Sequence, residues 1–164
     1  MSVPKHVVIG GICLPMDLES METLPLDAGG VSKFDFVYRG IHVAVRYQEE
    51  GEASHAKLVA DVGPMPFTAE SPAARSGLGQ IMVSANDALG ACFRLTPAGR
   101  ILLGGDITVV RPVTATHLFS AVATFLARAT PYLDLIAVFV SPPLAGEAEG
   151  GALRPEWHRR SVGA

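Results

Sequence analysis

The chain has 164 residues, 49% of them hydrophobic and 18% charged, with a formal net charge of −3. That length suits a single domain with its own core, and the slight acidic excess offers no basic field for phosphates, which argues against nucleic acid and anionic membrane surfaces as partners. A composition this apolar favours a protein whose leftover hydrophobic surface is covered by a partner, an oligomer or a binding protein.

Residues 1–30 admit two readings: "HVVIGGICL" is apolar enough for a strand, and "MDLESMETL" over 16–24 has the pattern of a short amphipathic helix. A secretory leader is not expected, because Gly10 and Gly11 break the apolar run and no small-residue cleavage site follows. Ile12 also stands before Cys13, where a lipoprotein signal needs a small residue. No stretch reaches the roughly 20 apolar residues of a membrane span. Cys13 and Cys92 lie far apart without CxxC spacing, which fits reduced thiols in a cytoplasmic protein, with a single disulfide as the alternative.

A single α+β domain is expected over 31–140. Its first element is a hairpin in "FDFVYRGIHVAVRY", two alternating runs meeting at Arg39-Gly40. With those residues as the turn, Tyr38 faces Ile41, Phe36 faces Val43 and Phe34 faces Val45, so the large apolar side chains of both strands share one face. A polar loop, "QEEGEAS", is expected next, leading to a third strand in which Leu58, Ala60 and Val62 alternate with Lys57, Val59 and Asp61. Ser71 as N-cap and Pro72 at the first helical position open a helix carrying Leu78, Ile81, Met82, Ala85 and Leu89 at helical spacing, with Gly90 to end it. Gly77 and Gly79 weaken its first half by roughly 1 kcal/mol each relative to Ala, so the helix depends on packing or on close approach by another backbone. Asn86 and Asp87 are read as groups that satisfy polar atoms near the C-terminal turn or the next strand.

The second hairpin is "CFRLTPAGRILLGGDITVV", closed through Pro97 and a left-handed Gly99. Pairing Thr96 with Arg100 sets Leu95 opposite Ile101 and Phe93 opposite Leu103, and Gly104-Gly105 is expected to bend or bulge the strand. A last helix starts near Thr114 or Thr116, with Leu118, Val122, Phe125, Leu126 and Ala129 on one face. Pro131 either kinks it or starts a new segment, and "LDLIAVFV" is apolar enough to be a buried strand instead. From 141 onward the Pro, Gly and Glu content predicts a flexible tail, in which "RPEWHRR" around Trp157 is a docking candidate or a solvated stretch.

A search for chemistry returns little. "SGLGQIM" has Met82 where a dinucleotide fingerprint needs its third glycine, there is no phosphate loop or nucleophile elbow, and His6, His42, His55, His117 and His158 lack zinc-site spacing. No catalytic residue, cofactor or metal is therefore expected, and the chain is read as a non-enzyme. His42 and Arg46 share a face of the second strand, with Asp35 and Asp61 as neighbours for an acid/base cluster, although such residues ordinarily form the solvated face of a half-buried sheet. Val37, Ala44 and Val59 interrupt that polar face with small apolar spots suited to the side chains of an extended peptide, unless the chain's own N-terminus covers them.

The order of elements, β-β-β-α-β-β-α with an antiparallel sheet of about five strands and helices packed on it, resembles the type III secretion chaperones that serve one or a few effectors and the related YbjN-like domains. "DVGPMP" resembles that family's Gly-x-x-Pro strand exit, "IMVSAND" its central helix ending in Ala-Asn, and "GRILLGGDI" its following strand, over roughly 33–136. The resemblance implies a cytoplasmic homodimer in which Leu78, Ile81, Met82, Ala85 and Leu89 divide between the core and a two-fold interface. It also implies capture of an extended client segment through Val37, Ala44 and Val59, with no cofactor and no nucleotide. An interaction or regulatory domain without a secretion role, and a small enzyme or ligand carrier with a pocket near His42, are the competing readings.

Overall fold

A computed structural model describes residues 6–9, 12–15, 17–23, 25–26 and 31–140. The elements are β1 (His6–Ile9), β2 (Ile12–Pro15), α1 (Leu18–Thr23), β3 (Val31–Tyr38), β4 (Ile41–Glu50), β5 (Ala53–Pro64), α2 (Pro72–Leu89), β6 (Phe93–Leu95), β7 (Arg100–Thr108) and α3 (Ala115–Ala137). The fold is α+β, with a five-stranded antiparallel sheet in the order β3-β4-β5-β7-β6 and helices packed on it. Contacts cluster in two compact units, and β3, β4, β5, β7 and α3 each contribute residues to both. The expected tail, with Trp157, lies outside the described residues.

Local chemistry explains most of the connections. Arg39 and Gly40 both have positive φ, 53° and 78°, the signature of a type I′ turn, whose twist matches that of the flanking strands. Positive φ costs a residue with a side chain roughly 1–2 kcal/mol, and Arg39 here also pairs with Asp134 through exposed side chains. The expected polar loop after β4 is not a loop. The strands run on to Glu50 and restart at Ala53, leaving only Gly51 and Glu52 as the turn, with Gly51 at φ 59°. Gln48, Glu49 and Glu50 are polar because this end of the hairpin is solvated, not because the strand has ended.

The β6–β7 hairpin has the expected register, Phe93 opposite Leu103 and Leu95 opposite Ile101. Its loop is closed by Thr96 N–H to the Arg100 carbonyl at 2.8 Å, Gly99 N–H to the Thr96 carbonyl at 2.9 Å and φ 74° at Gly99. β7 runs through Gly104-Gly105 and continues to Thr108. At the N-terminus the apolar run forms two short strands rather than one, β1 and β2, paired antiparallel with Val7 opposite Leu14. The short helix expected over 16–24 is α1, started by the Asp17 carboxylate, which accepts from Ser20 N–H at 2.9 Å.

The last helix is capped by Thr114, whose hydroxyl accepts from His117 N–H at 3.2 Å, and it runs through Pro131 to Ala137. The alternative of a strand over "LDLIAVFV" is thereby corrected. Proline removes one backbone bond, but Ala129 before it and Leu133 and Ile136 after it are buried on the same helix, so packing on both sides carries the segment through.

In the unit formed by the described residues up to Asp35 with Ala44–Leu58 and Gly105–Thr130, the buried residues include Val45, Tyr47, Ala56 and Leu58 from the strands and Leu118, Val122 and Leu126 from α3. Phe34 meets Phe119 edge to face, centroids 5.8 Å apart, a geometry worth about 0.5–1.5 kcal/mol beyond burial. Gly105 lies under the Phe125 ring, where an added Cβ would come within 2.6 Å of Cζ, so the glycine serves close approach. In the unit formed by Phe36–Val43, Val59–Gly104 and the described residues from Pro131, strands supply Ile41, Val43, Ala60, Val62, Phe93, Ile101 and Leu103, and helices supply Leu78, Met82, Ala85, Leu133 and Ile136.

Candidate functional site

Helix α2 is built as its sequence foretells. Ser71, with φ −156° and ψ 91°, accepts from Ala74 N–H at 3.2 Å, Pro72 occupies the first turn, and Gly90 closes the helix with its N–H on the Asn86 carbonyl at 2.9 Å. Leu78, Met82 and Ala85 recur every three to four residues and are buried within the chain itself. Burying a side chain of leucine or methionine size contributes about 1.5–3 kcal/mol, enough to offset the roughly 1 kcal/mol that each of Gly77 and Gly79 costs the helix. Gly77 faces the Phe139 ring, 3.5 Å from where a Cβ would stand, while Gly79 has nothing within 4 Å.

Of the five residues expected to divide between core and interface, Leu78, Met82 and Ala85 therefore belong to the core, and Ile81 and Leu89 are half-buried. The outward stripe of the helix is a different set. Ser76, Gly79, Gln80, Val83, Ser84 and Asp87 line a shallow, open depression of about 510 Å³, and Val83 is 62% exposed. Period alone does not single out this stripe, since only one of its members is a large apolar residue.

Asn86 answers what the polar end of the helix is for. Its side-chain amide donates to the Phe93 carbonyl at 2.8 Å and its Oδ1 accepts from Phe93 N–H at 2.7 Å, with Cys92 Sγ 3.7 Å from the same oxygen. One amide thus stands where a neighbouring strand would, occupying both outward backbone groups of Phe93 on an outer strand of the sheet. Cys92 is buried, and the Cys13 side chain, with the disulfide the sequence allows, lies outside the described residues. Asp87 stays exposed.

On the polar face, Val37 is 53% exposed and Val59 half-buried, but Ala44 is only 4% exposed. Ala44 offers a peptide almost no surface, because a methyl group at the pleat is covered by whatever lies beside it. Asp61 is held by Arg100, whose Nε and Nη2 reach both carboxylate oxygens at 2.9–3.3 Å. The pair is mostly buried, with side chains 11% and 26% exposed, and its forked geometry supplies two charge-assisted bonds.

A second concavity, which the sequence does not foretell, gathers Arg46, Gln48 and Glu50 from β4, His55 and Lys57 from β5 and Asp106 from β7 around about 230 Å³. Alternate residues of a strand share a face, which is why 46, 48 and 50 and then 55 and 57 come together. Asp106 is approached by His55 Nδ1 at 3.2 Å and by Lys57 Nζ at 3.9 Å, and Gln48 Nε2 donates to Glu50 Oε1 at 2.7 Å. Arg46 Nε is buried and makes no hydrogen bond. A buried donor left without an acceptor costs about 1–3 kcal/mol, and more on a charged group.

On the opposite face of β4 from this concavity, the Tyr47 hydroxyl donates to Glu49 Oε1 at 2.8 Å. Burial pushes its phenol above the ordinary value of 10.0, and Glu49 adds to the rise, while the Ser54 hydroxyl and Arg111 oppose it. Among the described residues no three His, Cys, Asp or Glu side chains converge as a metal would require, and no helix is long and apolar enough to cross a membrane.

Compared with protein-family models, with curated proteins and with solved structures, the chain matches none.

Proposed function

We propose that the chain is a chaperone-like protein-binding domain of the type III secretion chaperone and YbjN-like kind, a cytoplasmic homodimer that holds an extended segment of a client protein. The observation that carries this reading is the two-sided construction of α2. Leu78, Met82 and Ala85 anchor one side in the core, and the other side presents Gly79, Val83 and short polar residues around an open depression. A helix face without bulk allows the backbone of a second copy to come close, and one exposed valine at its middle provides the apolar contact. The element order supports the same reading, since β3 through α3 run β-β-β-α-β-β-α.

Client capture on this reading falls to the polar face of the sheet, where Val37 and Val59 retain accessible surface and Ala44 does not. Ordering an otherwise disordered segment consumes several kcal/mol of the gross interaction energy, so the client is held by many modest contacts over a broad surface.

The experiment is light scattering of the full chain, comparing wild type with Val83→Asp. Val83 lies outside the core, so the variant keeps its fold; the expected result is a wild-type dimer that the aspartate converts to a folded monomer. A wild-type monomer would end the dimer reading. A dimer that Val83→Asp leaves intact would remove α2 from the interface.

A further inference from the structure

We propose that the concavity around Arg46 is a binding site for one carboxylate group, carried either by a free small acid or by a Glu or Asp side chain of an extended peptide. Three observations combine with the geometry of arginine. The site is a real recess of about 230 Å³, lined by side chains from three strands. Its other polar groups are engaged with one another: Asp106 with His55 and Lys57, and Glu50 with Gln48. Arg46, which lines the same recess, is the exception, because its Nε is buried and has no acceptor. A guanidinium presents Nε–H and one Nη–H as a planar fork, whose natural complement is the two oxygens of a single carboxylate.

Charge selects the ligand class. Among the Lys, Arg, Asp and Glu side chains that line the recess, Arg46 and Lys57 balance Glu50 and Asp106, so these four leave no surplus of positive charge. A monoanion that docks on Arg46 keeps the opposing carboxylates at a distance, whereas a phosphate dianion brings a second negative charge towards Glu50 and Asp106. The site is therefore suited to a carboxylate and poorly suited to phosphate. Nothing in this inference depends on dimerisation or on client capture, since every lining residue comes from one copy of the chain.

The test observes the arginine Nε–H resonances of the full chain by ¹H–¹⁵N NMR, with Arg46 assigned from the Arg46→Gln spectrum. The protein is titrated with acetate, with inorganic phosphate, and with two capped peptides of alternating valine and threonine that carry a central glutamate or a central glutamine. The expected result is a saturable shift of the Arg46 signal with acetate, with the glutamate peptide, or with both. Response to acetate identifies a free small acid as sufficient, and response to the glutamate peptide alone identifies a peptide side chain as the source. Phosphate should bind at least roughly tenfold more weakly than the carboxylate, and Arg46→Lys, which keeps the charge but loses the fork, should weaken carboxylate binding by a similar factor. No shift with either carboxylate probe, an equal response to the glutamine peptide, or phosphate binding as tight as carboxylate would each overturn the proposal. Should Arg46→Gln fail to fold, triple-resonance spectra of the wild-type chain assign Arg46 instead, and the wild-type titrations still decide the proposal.

Discussion

Replacing Asn86 with alanine removes one side chain and strands two backbone groups. The amide of Asn86 bonds both the N–H and the carbonyl of Phe93, at 2.7 and 2.8 Å, and Phe93 is only 2% exposed, so water cannot readily take its place. Each bond contributes about 1 kcal/mol net, and leaving a buried partner unsatisfied costs about 1–3 kcal/mol. Alanine is the better helix former by roughly 0.5 kcal/mol, which offsets part of the loss. The expected outcome for Asn86→Ala is a loss of about 2–3 kcal/mol. For a domain of this size that corresponds to a fall of about 10 °C in melting temperature. The assay is urea denaturation followed by circular dichroism, with Asp87→Ala as control, since Asp87 is exposed and its removal should change stability by less than about 0.5 kcal/mol. Asn86→Asp should lose at least as much as the alanine variant at neutral pH, because a carboxylate still accepts from Phe93 N–H but opposes its carbonyl. If Asn86→Ala unfolds at the same urea concentration as wild type, the amide is not holding the β6 edge and the reasoning fails.

Two further outcomes are expected. Gly105→Ala sets a Cβ about where the Phe125 ring now lies, 2.6 Å from Cζ. Phe125 is only half-buried and can swing aside, so the cost is about 1–2 kcal/mol, and Gly105→Ala combined with Phe125→Leu should recover part of it in a double-mutant cycle; strict additivity would show that the two do not touch. Tyr47 predicts an alkaline limit. Its folded phenol is held protonated above the ordinary value of 10.0, so the unfolded chain loses the proton first and stability, unchanged below about pH 9, falls as pH rises past 10 towards the folded value. Denaturation midpoints measured from pH 8 to 11 should flatten in Tyr47→Phe, and an identical alkaline slope in that variant would exclude the phenol as the cause.

What could be read from residues follows the range of the interactions involved. The β6–β7 register depended on Thr96, Pro97 and Gly99, all within one loop, and the start of α2 depended on Ser71 and Pro72. Each is decided by neighbours a few residues away, so each was legible. The strand end at Gln48–Glu50 was misread because polarity there reports solvent at the tip of a hairpin, and the same residues would serve a loop equally well. Pro131 was ambiguous because its local penalty is fixed, while the packing of Ala129, Leu133 and Ile136 that outweighs it is tertiary.

The candidate sites divide in the same way. Periodicity marked Leu78, Met82 and Ala85 as one apolar face of α2, and alternation marked Leu58, Ala60 and Val62 as the buried face of β5. Whether such a face meets the protein's own core or a partner is a question of what lies opposite, and only the folded chain assigned all six to the core. Alternation put Arg46 on the polar face of its strand, but the partners that make the recess were not legible, since His55 and Asp106 are 51 residues apart and meet only because β5 and β7 are neighbours in the sheet. By itself, then, the sequence determined the turns at Arg39-Gly40 and Thr96–Arg100, the cap of α2 and the apolar faces, whose causes are local. Tertiary structure alone decided which surfaces remained open and which charge was left without a partner, because exposure and pairing depend on the atoms that arrive from elsewhere in the chain.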